Sequence, residues 1–535
     1  SYGTIYFAWI GDGANSQRMI RELDALAHAS QAAPLVQLTQ KWTSAAGALW
    51  LRMVPDEAVK MAADSLAFAG TTGVHVWDHM LCALGFFGSV CAGEPAQAQE
   101  FLKGMERTLA PNRKHGYSHY HYLIAWQHLL AGDHAAALTH AESALSIAEE
   151  TGFIFPHILC RIQTARVLIE KGRGSEAVRH ITVAYTLAVQ SKSLIFQYMC
   201  LLTKAQIAFA RKNEPNGLRV LRDALQIGRR HGYFSELWWH HPPSLVRLCA
   251  KALEARIEEE YVRTVVRKHR LVPEKPEEAG ERWPWPLRIR TLGTFVIEHD
   301  GKPVRFSGKV QKKPLEMLKL LASAGGNLSE AQVAEALWPD AEGDSARQSV
   351  KTTLHRLRQV LGDERAVLYQ DGRVGLDPRV CWTDAAAFEQ TLAEADALGE
   401  PEPKSSQAKE QRRLLERAIA LYQGNFLDND GDRDREWALS PRERLRSKFL
   451  RAVAALALSC EQAGRTRKAA DWYLRGLDVD DLAEELYLGL MRVYGKLGRR
   501  GEAVKAYLRY KSILASTLRV EPSPQAEAFF RSLGQ

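Results

Sequence analysis

Apolar positions in the first half of the chain recur at helical spacing, and the helices themselves recur. Ala58, Ala98, Ala137, Ala177 and Gly217 follow one another at steps of 40, 39, 40 and 40 residues. Ile181 and Leu221, Ala184 and Ala224, and Gly132 and Gly172 keep the same step. Each unit therefore reads as two amphipathic helices joined at a tight turn. A helix pair cannot bury both apolar faces alone, and a small residue at the crossing lets neighbouring pairs stack closely. The pattern predicts an α-solenoid over residues 1–265.

Beyond it the pattern breaks. Val272–Gly280 is charged and interrupted by Pro273 and Pro276, and Trp283-Pro284-Trp285-Pro286 follows. Proline stops helices and central strands, so 266–286 reads as an interdomain linker. Near the C-terminus a second repeat begins. Cys460 and Tyr494, Gly464 and Gly498, Ala469 and Ala503, and Tyr473 and Tyr507 are each 34 residues apart, the tetratricopeptide period. The polar run Gly399–Ser406 between helical stretches reads as an exposed loop.

Between the two arrays the period shortens to that of strands, with Leu287 and Ile289, then Phe295 and Ile297, and a turn at His299-Asp300-Gly301-Lys302. A helix is expected from Pro314 to the glycine stop at Gly325-Gly326, with Lys312 and Lys313 at its head. Ser329 and Gln332 form a capping box for a short second helix that Pro339 ends. Ser345 and Gln348 repeat the box before a third helix, where Ala346, Val350, Leu354, Leu357 and Leu361 make one apolar stripe. A strand-turn-strand around Asp371-Gly372-Arg373 closes the segment. Strands, three helices and a terminal hairpin predict a winged helix-turn-helix over 287–382.

Residues spaced about 100° around the third helix put Gln348, Thr352, His355 and Gln359 opposite the stripe, flanked by Arg347, Lys351, Arg356 and Arg358. Amides, hydroxyls and imidazoles can hydrogen-bond base edges in a major groove, and flanking cations neutralise phosphates. Gln348, Lys351, Thr352 and His355 are the candidates for base edges. Lys312, Lys313, Arg347, Arg356, Arg358, Gln359 and Arg373 are those for phosphate. A solvated surface helix carries the same residue types, but the surrounding arrangement favours DNA, and no acidic residue occurs from Ser345 to Leu361.

Charge and composition change this picture little. The 535 residues carry a formal net charge of +8, a mild excess that suits a polyanionic partner without requiring one. Seven scattered cysteines include no C-x-x-C pair, which suits a reducing cytoplasm. The absence of a long uncharged apolar run argues against a membrane span. The abrupt apolar opening at Ser1-Tyr2-Gly3 raises the expectation of further sequence upstream.

The residues Ala336-Leu337-Trp338-Pro339-Asp340, then Leu354-His355-Arg356-Leu357-Arg358 and Leu361-Gly362, resemble the antibiotic-regulatory transcription activators (SARP type), related to OmpR-like winged helices. The resemblance continues through Asp384, Phe388 and Leu392 into Leu421–Leu427, Glu436-Trp437 and Arg442–Leu445, which resemble a bacterial transcriptional activation domain over 383–535. It implies an activator, nucleoid-associated in the cytoplasm, that binds direct repeats of promoter DNA as a side-by-side pair of copies and contacts RNA polymerase. The family wing has Gly-Tyr before its last strand, where this chain has Arg373-Val374-Gly375-Leu376. Large members also carry an ATP-hydrolysing switch. This chain has no phosphate loop, so no cofactor is expected within it and such a module would lie upstream of Ser1.

The fold class is thus mainly α: a tetratricopeptide-like solenoid, a winged helix-turn-helix and a helical-repeat activation domain. Tyr117, Tyr120, Tyr122, Trp126, Trp238 and Trp239 either line a concave site for a small-molecule or protein effector or fill the seams between repeats. His75 and His79 have the spacing of a metal pair but no third ligand. The acidic run Asp428–Asp434 fits no calcium-loop register and reads as a surface loop. No catalytic constellation appears, so an enzyme is not expected. Two other readings stand beside the DNA-binding activator. One is a protein-interaction scaffold using the winged helix as a docking platform; the other is the sensor and output half of a nucleotide-switched regulator.

Overall fold

In the computed structural model, which describes residues 2–28, 32–110, 112–304, 312–341 and 343–534, the marker of each repeat occupies one structural position. Ala58, Ala98, Ala137, Ala177 and Gly217 are each the fourth residue of a helix: Pro55–Thr72, Pro95–Glu106, His134–Thr151, Gly174–Gln190 and Glu214–His231. All five are buried. A methyl group at Gly217 would lie 2.5 Å from the Phe209 ring of the preceding helix, so only glycine lets the pair close at that crossing. The chain divides into two compact units, Ser1–Trp283 and Pro284–Gln535.

In the first unit, the segment between helices Glu214–His231 and Pro242–Glu254 runs through the interior. Tyr122 Oη donates to the Trp238 carbonyl at 2.7 Å, and Trp126 Nε1 donates to that of His240 at 2.8 Å. Arg166 pairs with Glu236 and donates from Nε to Thr203 Oγ1 at 2.9 Å, and its guanidinium lies 4.8 Å from the centre of the Trp239 ring. The Trp238 ring meets Trp50, Phe87 and His119. Tyr122, Trp126, Trp238 and Trp239 are therefore core and fill the seams, and Tyr122 and Trp238 also line a cavity with Trp9, His115, His119 and Cys160. Tyr117 and Tyr120 are half-buried.

Residues 266–283 also pack into this unit. Helix Glu259–Lys268 runs into the stretch, Pro276 opens a four-residue helix that ends at Ala279, and Leu271, Ala279 and Trp283 are buried. Where the sequence predicts an interdomain linker without helix, the segment holds a short helix opened by Pro276 and is packed rather than a free tether.

The second unit opens with strands β1 (Leu287–Arg290), β2 (Val296–His299) and β3 (Lys302–Pro303). The helices Lys312–Ala324, Glu330–Leu337 and Gly343–Leu361 follow, with β4 (Leu328–Ser329) between the first two. Next come β5 (Val367–Gln370), β6 (Arg373–Leu376) and β7 (Cys381–Thr383). One sheet has the order β3-β2-β1-β7, with β7 parallel to β1; the other is β4-β6-β5. Leu287, Ile289, Leu318, Leu321, Val333, Leu337, Val350, Leu354 and Leu357 meet in a single core.

Helices from Asp384–Asp396 to Pro524–Gly534 complete the unit. Here Ala469 and Ala503 are again each the fourth residue of a helix, in Thr466–Leu477 and Arg500–Thr517. Gly464 and Gly498, at φ 74° and 71°, make the left-handed turns before those helices. The seven cysteines are unpaired.

The winged helix and the helices after it interlock. The buried Asp384 carboxylate accepts from the backbone N–H groups of Thr291 and Leu292 at 2.8 Å and of Ala385 at 2.9 Å, and from Thr291 Oγ1 at 2.9 Å. Leu427 N–H donates to the Thr291 carbonyl at 2.8 Å, and Gly293 N–H to that of Asn425 at 3.0 Å. The acidic run has an inward role: Asp430 and Asp432 bind the ammonium of the buried Lys319 at 2.5 and 2.8 Å.

Candidate nucleic-acid interface

The reader helix is positioned by the two helices before it. The Ser329 and Gln332 capping box forms, with both reciprocal bonds present, and fixes the start of Glu330–Leu337. Lys313 donates to the Leu337 carbonyl at 2.6 Å, at the other end of that helix, and lies 3.0 Å from Glu316. Lys313 therefore anchors the C-terminal end of the second helix, while Lys312 is exposed. The third helix starts at Gly343, three residues earlier than a Ser345 cap implies, so Ser345 lies within its first turn and the expected Ser345 and Gln348 box does not form. Asp344 supplies the negative charge that a helix start favours.

The apolar stripe of this helix is buried at Ala346, Val350, Leu354, Leu357 and Leu361. Opposite it, Arg347, Gln348, Lys351, Thr352, His355, Arg356 and Gln359 are exposed. The side chains of Gln348, Lys351, Thr352 and Arg356 make no hydrogen bond or ion pair with another described residue. His355 and Gln359 meet at 3.1 Å, and Arg347 approaches Asp344 at 3.9 Å. One face thus presents donors and cations spanning more than two helical turns.

Two more of the residues read as phosphate contacts are engaged by backbone carbonyls of the fold, Arg358 half-buried and Arg373 exposed. Arg358 is half-buried and donates to the Val367 carbonyl at 2.9 and 3.3 Å, pinning the reader helix to the start of β5. Arg373 donates to the Asn327 carbonyl at 2.6 Å, tying β6 to the strand beside it. The hairpin turns on Asp371 and Gly372 at φ 51° and 68°, the two-residue loop that Asp-Gly favours. The unusual Gly375 has a local cause, since a methyl group there would lie 1.8 Å from Asn327 Oδ1.

Sequence reasoning missed Asp384 and Lys319 as organisers of this unit. A lone Asp or Lys is expected at the surface, and only their partners, about 90 and 110 residues away in sequence, show otherwise. The histidine pair separates: His75 meets Asp78 at 2.8 Å, whereas His79 meets Thr108 at 3.1 Å. Among the described residues no helix is long and apolar enough to cross a membrane.

Residues 383–533 match the bacterial transcriptional activator domain, which gives the class of the helices that follow the winged helix. The chain is similar to the regulatory protein AfsR of Streptomyces griseus, 26% identical over 249 residues, or 45% of this chain and 24% of that protein. The AfsR of Streptomyces coelicolor is 27% identical over 257 residues, covering 47% and 24%. The match thus spans about a quarter of the length of these curated relatives. A structure of Mycobacterium tuberculosis EmbR in complex with a low affinity phosphopeptide aligns with 46% of this chain and 65% of that one, at 22% identity and a TM-score of 0.38. The activator-domain and AfsR matches bear out the resemblance to antibiotic-regulatory activators read from the sequence.

Proposed function

We propose that the chain is a sequence-specific DNA-binding activator of transcription. The reading rests above all on the outward face of the Gly343–Leu361 helix, where Gln348, Lys351, Thr352 and Arg356 have no partner among the described residues beside a buried stripe. Gln348, Lys351, Thr352 and His355 read base edges in a major groove. Lys312, Arg347, Arg356 and Gln359 hold the phosphates beside it. Lys313, Arg358 and Arg373 set the frame. The activator domain recruits RNA polymerase, two copies sit side by side on repeated sites, and the first unit responds to an effector or partner.

The test is selection of genomic DNA by the purified chain, followed by binding of the enriched site to Gln348→Ala, Thr352→Ala and His355→Ala variants. The reading expects an enriched repeated site whose preference the variants relax, each base contact being worth about 1–3 kcal/mol of discrimination. Absence of any enriched sequence would sink it in favour of a scaffold.

A further inference from the structure

Two turns of the C-terminal repeats carry cations where helix starts ordinarily favour acids. Helix Thr466–Leu477 follows Gly464-Arg465 and has Arg467 and Lys468, with no carboxylate, in its first turn. Helix Arg500–Thr517 follows Gly498-Arg499 and opens on Arg500, with a single acid, Glu502, in its first turn. Arg465 and Arg499 are equivalent N-cap residues, and neither makes a side-chain capping bond. The positive end of a helix dipole disfavours cations, and arginine cannot accept the orphan N–H bonds there, so local stability does not account for these residues.

The two turns lie on one edge. Glu461, next to the end of helix Glu436–Gln462, accepts from Arg492 at 3.0 Å and from Lys496 at 2.7 Å, both in the last turns of helix Glu484–Lys496. This bridge sets side by side the helix ends from which the turns spring, and its one carboxylate is shared by Arg492 and Lys496. Arg465, Arg467, Lys468 and Arg500 are exposed and have no ion pair among the described residues, while Arg499 only approaches Glu502 at 4.0 Å.

What surrounds these cations favours phosphate over protein. Protein interfaces centre on apolar side chains, and no exposed large apolar residue belongs to 463–468 or 497–502. Gly464, Gly498 and Gly501 have open space where a side chain would stand, so a phosphate can approach the backbone. We infer that this edge of the activator domain binds the phosphate backbone of duplex DNA, as a sequence-independent contact separate from that of the reader helix. The inference rests on the DNA-binding reading above.

Binding of the full chain to a 60-base-pair duplex of random sequence (a length of roughly six helical turns) is measured across salt concentrations. It is repeated for a variant with Arg465→Ala, Arg467→Ala, Lys468→Ala, Arg499→Ala and Arg500→Ala, all at exposed positions. A control carries Lys192→Ala, Arg211→Ala, Lys212→Ala, Arg222→Ala and Arg230→Ala, the same loss of exposed charge on the first unit. The slope of log affinity against log salt should become less steep by about 3–5 in the edge variant and by no more than about 1 in the control. Equal slopes in the two variants would overturn the inference while leaving the DNA-binding reading intact. A wild-type chain with no salt-dependent binding would overturn both. An unchanged slope with reduced promoter activation in a purified transcription system would reassign the edge to an acidic protein surface.

Discussion

The two units use their polar and aromatic residues in opposite directions. The first draws its tryptophans, histidines and an ion pair inward, around a segment threaded through the solenoid. The second keeps an aliphatic core beneath the winged helix and buries charge at Asp384 and Lys319, but turns other donors and cations outward, on the Gly343–Leu361 helix and along the repeat edge. Composition alone does not separate these uses. A Trp-Trp-His-His run and a Gln-Thr-His face both look functional in sequence, yet only in the second do side chains, those of Gln348 and Thr352, have no partner among the described residues.

The contrast is broken most directly by removing an inward charge. Arg166→Ala leaves the buried Glu236 carboxylate without its cation, and we expect the first unit to lose about 3–5 kcal/mol, measured by denaturant unfolding of the full chain. Burial already raises the Glu236 pKa while Arg166 opposes the rise, so the variant's carboxyl should be protonated at higher pH than the wild type's. Asp384→Ala in the second unit strands three backbone N–H groups, and roughly 3 kcal/mol or more should be lost there.

A pH series sharpens the comparison. Burial holds His79 and His241 at about 4 and His240 at about 3. These imidazoles stay neutral in the fold, whereas in the unfolded chain they take up protons near pH 6.5. The stability they contribute is complete above that pH, falls as pH drops through about 4 for His79 and His241, and levels off only below about 3, where His240 titrates. In the second unit the Arg365 bond holds the Asp363 carboxyl down, and at Asp377 burial pushes up but the Arg379 bonds and charge outweigh it, so their contribution is present above the ordinary aspartate range and lost as pH falls through it. Calorimetry at pH 7.5 and pH 5, values chosen to straddle roughly the histidine range, should show the first unit melting earlier at the lower pH and the second little changed.

The smallest stability effect belongs to the reader face. Gln348→Ala, Thr352→Ala and His355→Ala should shift stability by less than about 0.5 kcal/mol while weakening DNA selection. A large loss of stability would mark those side chains as structural and erase the contrast.

Features carried by periodicity or turn chemistry were legible in the sequence. The repeat alanines, the Ser329 and Gln332 box and the Asp371-Gly372 hairpin each follow from a local rule. Features set by distant partners were not. Arg358 and Lys313 have the spacing of phosphate ligands, and only the folded chain places backbone carbonyls within their reach. The early start of the reader helix depends on Asp344, which weighs little in the sequence beside the Ser345 and Gln348 pattern. Segment 266–283 has the composition of a linker, and its burial at Leu271 and Trp283 depends on where the solenoid ends.

The Asp384 junction sets a limit on modular engineering. The family boundary at 383 falls one residue before a carboxylate that closes on the Thr291 and Leu292 backbone, so a cut there would divide a fold rather than separate two. A chimaera meant to retarget this regulator would have to transplant 287–535 whole, or exchange only the outward residues of the reader helix. The winged helix and the activator domain form one part that moves only as a whole.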